Sequence, residues 1–221
     1  MKKVNKILGG IFITSIIWIF SCGGGGGGGG GENPTPSPVK AKWTFAVYMA
    51  GDNNLAMASL QDLMEMEAIG STKDVKVVVQ AEFADEYMTI LDGSTLIYFP
   101  PQTFNLSTYE TSRFKIVKDG DPNIIDSQQI VLGDKDMASS QTLANFIKWV
   151  KNNYPAEHYA LVLWNHGSGW EGVLQDQTAN HYMNMQELKS ALEAGGIHFD
   201  VIDFDACLMG MYEVAYNQGL C

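Results

Sequence analysis

Tyr159-Ala160-Leu161-Val162-Leu163-Trp164 is an apolar run that stops on Asn165-His166-Gly167-Ser168-Gly169-Trp170. A second run, Phe199-Asp200-Val201-Ile202-Asp203-Phe204, stops in the same way on Asp205-Ala206-Cys207-Leu208-Met209-Gly210. Both runs have the length and composition of strands, and both stops are polar and glycine-bearing. In a parallel sheet, the ends of neighbouring strands share one edge, where ligands and chemistry collect. One stop delivers an imidazole and the other a thiol, the parts of a nucleophile with its base.

The flanking sequence supports such a sheet. Trp43 to Met49 has strand length, and Gly51-Asp52-Asn53-Asn54 breaks it and offers helix caps. Leu55, Leu60, Leu63, Met66 and Ile69 then recur at roughly helical spacing. Val75 to Phe83 reads as a buried strand. Met88 to Phe99 reads as a hairpin about Asp92-Gly93-Ser94. Residues 100–137 are mixed and acidic and read as loops and short elements. Ser139 to Asn153 reads as an amphipathic helix, with Leu143, Phe146, Ile147 and Val150 on one face, stopped by Pro155. After the histidine stop, residues 165–183 read as a long polar loop. Asn184 with Glu187 signals a helix start, and that helix runs to about Ala194 before Gly195-Gly196. A last helix is expected from about Leu208. Strands alternating with helices predict an α/β fold, a mostly parallel sheet with helices on both faces. The stretch between His166 and Cys207 accommodates one loop–helix crossover between neighbouring parallel strands.

Composition narrows the class. The chain has 221 residues, enough for one domain with a sizeable core plus appendages. A formal net charge of −11 argues against a non-specific nucleic-acid binder, which needs a basic surface. Lys2, Lys3 and Lys6 followed by the apolar Ile7 to Phe20 form a targeting segment, too short for a typical spanning helix. Ser21-Cys22 resembles a bacterial lipoprotein processing site, in which Cys22 is lipidated. Phe20 is bulkier than that pattern usually carries, so an ordinary signal peptide and an uncleaved anchor stand as other readings. The run Gly23 to Gly31, followed by Pro34, Pro36 and Pro38, has the composition of a tether. We therefore divide the chain into residues 1–21, a lipoprotein-type signal peptide; 22–41, lipidated cysteine and tether; and 42–221, the folded domain. The expected location is the bacterial cell envelope, outside the cytoplasm and lipid-anchored to a membrane. The cysteines Cys22, Cys207 and Cys221 form no regular framework, and only proximity favours a Cys207–Cys221 bridge.

The two stops have a specific chemistry. A free thiol is mostly protonated at neutral pH, and a neighbouring imidazole can take its proton and later return it to a leaving amine. A helix beginning at Leu208 would place Cys207 at a helix N-terminus, which favours a thiolate. The backbone N–H groups of Gly167 and Cys207 are suited to hold a developing oxyanion. Asp205 has two readings: a carboxylate lining a pocket for a cationic side chain, or a helix cap. Taken singly, such a cysteine is most often a small buried hydrophobe, and such a histidine a hydrogen-bonded structural residue. The four histidines show no metal-ligand spacing, so no metal site is expected, and the glycine run lacks a phosphate-loop lysine.

The blocks Leu163 to Trp170 and Asp205 to Met209 resemble the clostripain family of cysteine endopeptidases. Tyr48-Met49-Ala50-Gly51-Asp52-Asn53-Asn54-Leu55 is similar to its first-strand block, and Asn153 to Ala160 to its approach to the histidine strand. The resemblance spans about Lys42 to Tyr216. It implies a caspase-like fold, shared with caspases, gingipains and legumains. It implies His166 as general base, Cys207 as nucleophile, cleavage after arginine or lysine, and Asp205 as the acidic contact for that side chain. Trp170 is a candidate cleft residue. Calcium enters only by the resemblance: Asp119, Asp121, Asp126, Asp134 and Asp136 lack proper ligand spacing and read as a solvated acidic surface. The chain ends soon after Cys207, so the peptidase domain is expected to be incomplete at its C-terminus, with the last strand an exposed sheet edge. Two functions follow. One is an anchored cysteine endopeptidase acting on proteins or peptides with arginine or lysine. The other is a truncated or inactive relative that binds basic peptides at the surface.

Overall fold

In the computed structural model, residues 40–217 are described. Residues 1–39, with the expected signal peptide, Cys22 and nearly all of the tether, lie outside the described residues, as does Cys221. Strand β1 (Ala41–Gly51) leads into helix α1 (Ala56–Ile69) and strand β2 (Val75–Phe83). A hairpin, β3 (Thr89–Asp92) and β4 (Thr95–Tyr98), forms a separate two-stranded sheet and is followed by β5 (Ser112–Lys115) and β6 (Ile130–Val131). Helix α2 (Ser140–Asn153) precedes β7 (Ala156–Trp164), and a small hairpin of β8 (Val173–Asp176) and β9 (His181–Met183) follows. Helix α3 (Met185–Gly195), β10 (Val201–Asp205) and α4 (Tyr212–Asn217) complete the described chain.

The main sheet has the order β10-β7-β1-β2-β5-β6. The pairings among β10, β7, β1 and β2 are parallel, while β5 and β6 are antiparallel additions. The α/β fold read from the runs is thus present. β5 and β6 are elements that periodicity did not resolve within 100–137, because strands of four and two residues carry almost no pattern.

Alternation of side chains assigns each sheet face to its own core. On one face Ala46, Tyr48, Leu161 and Leu163 pack with Leu143, Phe146 and Ile147 of α2 and Leu188 and Ala191 of α3. On the other, Val47, Met49, Val79 and Ala81 pack with Leu60 and Leu63 of α1. Burying each such large side chain stabilises the fold by about 1.5–3 kcal/mol. Helix α3 has the expected start: Asn184 accepts from the Gln186 and Glu187 backbone N–H groups, and Glu187 reaches back to the Asn184 N–H. At its far end Gly195 lets α3 lie against α2, since a Cβ there would fall 2.7 Å from Ile147 Cβ.

The chain runs outward from β1 in both directions, with α1 on one face and α2 and α3 on the other. The sheet order therefore reverses beside β1, and a cleft is expected at the C-terminal ends of the strands there. Met49, Trp164 and Asp205 lie side by side in register, so the turns after β1, β7 and β10 open at one level.

Candidate active site

The turn after β7 is built around the buried Asn165. Its amide donates to the carbonyls of Ala50 and Gln175, the latter at 3.0 Å. Its oxygen accepts from the N–H groups of His166 and Gln175. One side chain thus joins the ends of β1, β7 and β8 and faces His166 out of the sheet edge. From the β1 side, Asn53 donates to Ala50 and Gln175 as well, at 3.1 and 3.0 Å, and its oxygen receives the Leu55 N–H at 2.9 Å. Its neighbour Asn54 places Oδ1 2.8 Å from His166 Nε2.

Beyond His166 the chain crosses towards β8. Ser168 N–H donates to Gly172 O at 3.0 Å and Leu174 N–H to His166 O at 3.2 Å. This pattern leaves the intervening Gly167 N–H outside the ladder. Gly167 lies directly against the turn after β10. A Cβ there would collide with the Cys207 carbonyl oxygen and would lie 2.9 Å from Met209 Cγ. His166 and Cys207 therefore stand on two turns whose backbones touch. Cys207 is an exposed free thiol and His166 is half-buried; no hydrogen bond joins the two among the described residues. Tyr182, whose hydroxyl donates to Gly172 O at 3.0 Å, is close enough to feel Cys207. Its phenol is pushed up, first by burial, with the Ser168 hydroxyl opposing and Glu171 and the nearby Cys207 adding to the rise.

Two expectations need correction. The helix after Cys207 begins at Tyr212, not near Leu208. Leu208 takes a left-handed conformation (φ 63°) and Gly210 follows, so residues 206–211 form a turn. Cys207 thus does not sit at a helix N-terminus, and Asp205 is not a helix cap. The strand ends at Asp205 and the chain bends at Ala206. Asp205 faces the α1 side, while Met209 enters the core on the α2–α3 side, so the thiol sits where the chain passes from one face to the other.

Asp205 opens on a cavity of about 530 Å³. Its apolar floor is Val47, Met49, Val162 and Trp164, and Asp62 and Glu65 of α1 complete an acidic rim. Trp164 Nε1 donates to Asp62 Oδ2 at 2.8 Å. The Asp62 carboxyl is raised by burial first, with Glu65 and Asp205 adding repulsion against the Trp164 bond. Trp170 is exposed next to the histidine turn. Among the described residues no group of His, Cys, Asp or Glu is arranged to hold a metal ion. Asp119 and Asp121 bond their own loop backbone. No helix among the described residues is long and apolar enough to cross a membrane.

Sequence reading did not single out Asn165, Asn54 or Asn53 as site residues. The adjacent asparagines after β1 suit helix caps by residue type, yet the Asn53 oxygen accepts the N–H of Leu55, the residue before α1; the sign of a further role was a second, redundant amide at a strand end.

A parallel sheet with a histidine and a cysteine on touching turns at its C-terminal edge has the architecture of a caspase-like cysteine peptidase. The chain belongs to the clostripain family, whose model matches residues 47–219. It is 24% identical over 193 residues to clostripain of Hathewaya histolytica, covering 80% of this chain and 36% of that one. Its fold is similar to a secreted cysteine protease from Bacteroides thetaiotaomicron, "iotapain", with a TM-score of 0.58 and 17% identity over 82% of this chain and 50% of that one. It is also similar to an inactive zymogen protease from Parabacteroides distasonis, with a TM-score of 0.55 and 30% identity over 82% of this chain and 46% of that one. The chain spans between about a third and a half of the length of these relatives.

Proposed function

We propose that this chain carries the His/Cys dyad of an envelope-anchored cysteine endopeptidase that cleaves after arginine or lysine. The observation that carries the reading is the backbone contact of Gly167 with the Cys207 carbonyl, which brings the two turns together. In the proposed reaction His166 takes the Cys207 thiol proton, and the thiolate forms a C–S bond to the scissile carbonyl carbon. The oxyanion is held by the N–H groups of Gly167 and Cys207, neither of which has an acceptor among the described residues. His166 passes its proton to the amide nitrogen as the C–N bond breaks. Water then attacks the thioester, giving its proton to His166, and the carboxyl product leaves as the thiol is restored.

The Asp205 cavity supports the basic preference. Its apolar floor suits an alkyl stem and its carboxylates suit a guanidinium or ammonium. The reading of Cys22 as an anchor rests on the sequence before it, and the Bacteroides relative is described as secreted.

The test is hydrolysis of arginyl peptides by the protein at its full natural length. Cys207→Ala is expected to abolish it, and Asp205→Ala to lower kcat/KM for arginyl substrates roughly 100-fold. Equal cleavage with and without Cys207 would reject the dyad and leave the basic-peptide binding module as the better reading. Cys22→Ala is expected to move the protein from the detergent phase to the aqueous phase on partitioning; an unchanged distribution would remove the anchor.

A further inference from the structure

The His166 ring has a partner that is not the thiol. Nε2 lies 2.8 Å from Asn54 Oδ1. An amide oxygen only accepts, so the hydrogen of this bond is on Nε2, and the neutral ring carries its lone pair on Nδ1. With Nε2 committed towards β1, Nδ1 is the nitrogen left for the neighbouring turn that carries Cys207.

Asn54 is well placed to do this. It follows Asn53, a residue 1% exposed whose amide bonds Ala50 and Gln175. On its other side Leu55 is held by its N–H, which donates to Asn53 Oδ1 at 2.9 Å, and the Ala56 N–H donates to the Asn53 carbonyl at 3.0 Å where α1 starts. Both backbone neighbours are thus fixed, so the Asn54 side chain projects from a rigid corner rather than a loose loop. The Asn53 and Asn165 amides share the same two carbonyl acceptors, so the base of Asn54 and the base of His166 are parts of one hydrogen-bonded frame.

We propose that Asn54 is a positioning residue for His166, holding the ring in the Nε2–H tautomer that offers Nδ1 to Cys207. The inference builds on the dyad reading above. A neutral acceptor at this place serves both halves of a proton shuttle. It holds Nε2–H when Nδ1 is bare and when Nδ1 carries the thiol's proton, and it adds no charge that would hold the proton on the ring.

Two measurements test it. The first needs no turnover: long-range ¹H–¹⁵N NMR of the imidazoles in the 221-residue chain at pH 8, with His166 assigned by its loss in His166→Gln. The expected spectrum shows Nε2 protonated and Nδ1 bare, and Asn54→Ala is expected to relax it to a mixture of tautomers. An Nδ1–H ring in the wild type, or a ring unmoved in Asn54→Ala, overturns the proposal. The second is the pH profile of arginyl-peptide hydrolysis by the full-length protein. Asn54→Ala is expected to lower kcat roughly 10–100-fold with KM within about twofold. Asn54→Asp is expected to restore most of kcat and to move the alkaline limb to higher pH, because a carboxylate favours the imidazolium. An Asn54→Asp enzyme as slow as Asn54→Ala, or one with an unmoved limb, also overturns it. Failure of the dyad reading looks different: hydrolysis would not depend on Cys207, while the NMR result would still decide the role of Asn54.

Discussion

Gly167 is not among the glycines at positive φ, so its replacement tests contact and not backbone strain. In Gly167→Ala the added methyl meets the Cys207 carbonyl and Met209, and one of the two turns has to give way. Overpacking of this kind costs about 1–3 kcal/mol. We expect urea denaturation to show that loss, and hydrolysis by the full-length protein to fall further than stability does. Asn165 fails by the opposite route. Asn165→Ala leaves the Ala50 and Gln175 carbonyls to Asn53 alone and strips the Gln175 N–H of the oxygen it donates to. A lost buried partner costs about 1–3 kcal/mol, and the same variant is expected to loosen the His166 ring in its NMR spectrum.

At the scale of elements, the end of β2 carries a buried carboxyl group, Glu82, which receives the Thr111 hydroxyl at 2.7 Å. Burial, with Asp134, Asp176 and Asp52 nearby, pushes it up to about 9, the Thr111 bond working against the rise. Above the ordinary carboxyl range the unfolded chain releases this proton while the folded one keeps it, so stability falls as pH rises from about 4.5 towards 9. Glu82→Gln keeps an acceptor for Thr111 without the titration. Its advantage over wild type is expected to be near zero at pH 4.5 and on the order of 2–4 kcal/mol at pH 8, measured as paired denaturation curves. A flat difference across that range would show that Glu82 stays ionised in the fold. At α3, Asn184→Ala is expected to cost about 1 kcal/mol through its cap. The elements differ in how readily they were read. β1, β2 and β7 run for nine to eleven residues, and α2 has a clean apolar face, so pattern alone located them. β8 and β9, of four and three residues, were hidden inside an apparent loop because their pairing depends on the turn they follow. The late start of α4 escaped because leucine is not a residue type that signals the positive φ found at Leu208. The histidine and cysteine stops were legible as polar breaks in apolar runs. The asparagine frame was not, since the bonds that close it, Asn165 to Ala50, Asn53 to Gln175 and His166 to Asn54, join residues more than a hundred positions apart.

For the molecule as a whole, β10 is an unpaired edge of the main sheet among the described residues. Val201 is 47% exposed, and the β10 half of the α1 face carries little cover. Such an edge is a template for strand pairing. The 221-residue chain is therefore expected to associate with rising concentration in sedimentation velocity. Val201→Lys, which adds charge to that edge, should shift the distribution towards monomer. A sharp monomer at all concentrations would mean that the edge is blunted in some other way. The cysteine turn follows this same strand, yet its position is set on the inner side, where the Gly167 main chain meets the Cys207 carbonyl. The spacing of the two turns is thus a main-chain dimension, independent of the side chain at 207. Oxygen, sulfur or selenium presented from that position would leave from the same Cβ, so differences in rate among such variants would report the element and the length of its bond to carbon, not a shift of the turn.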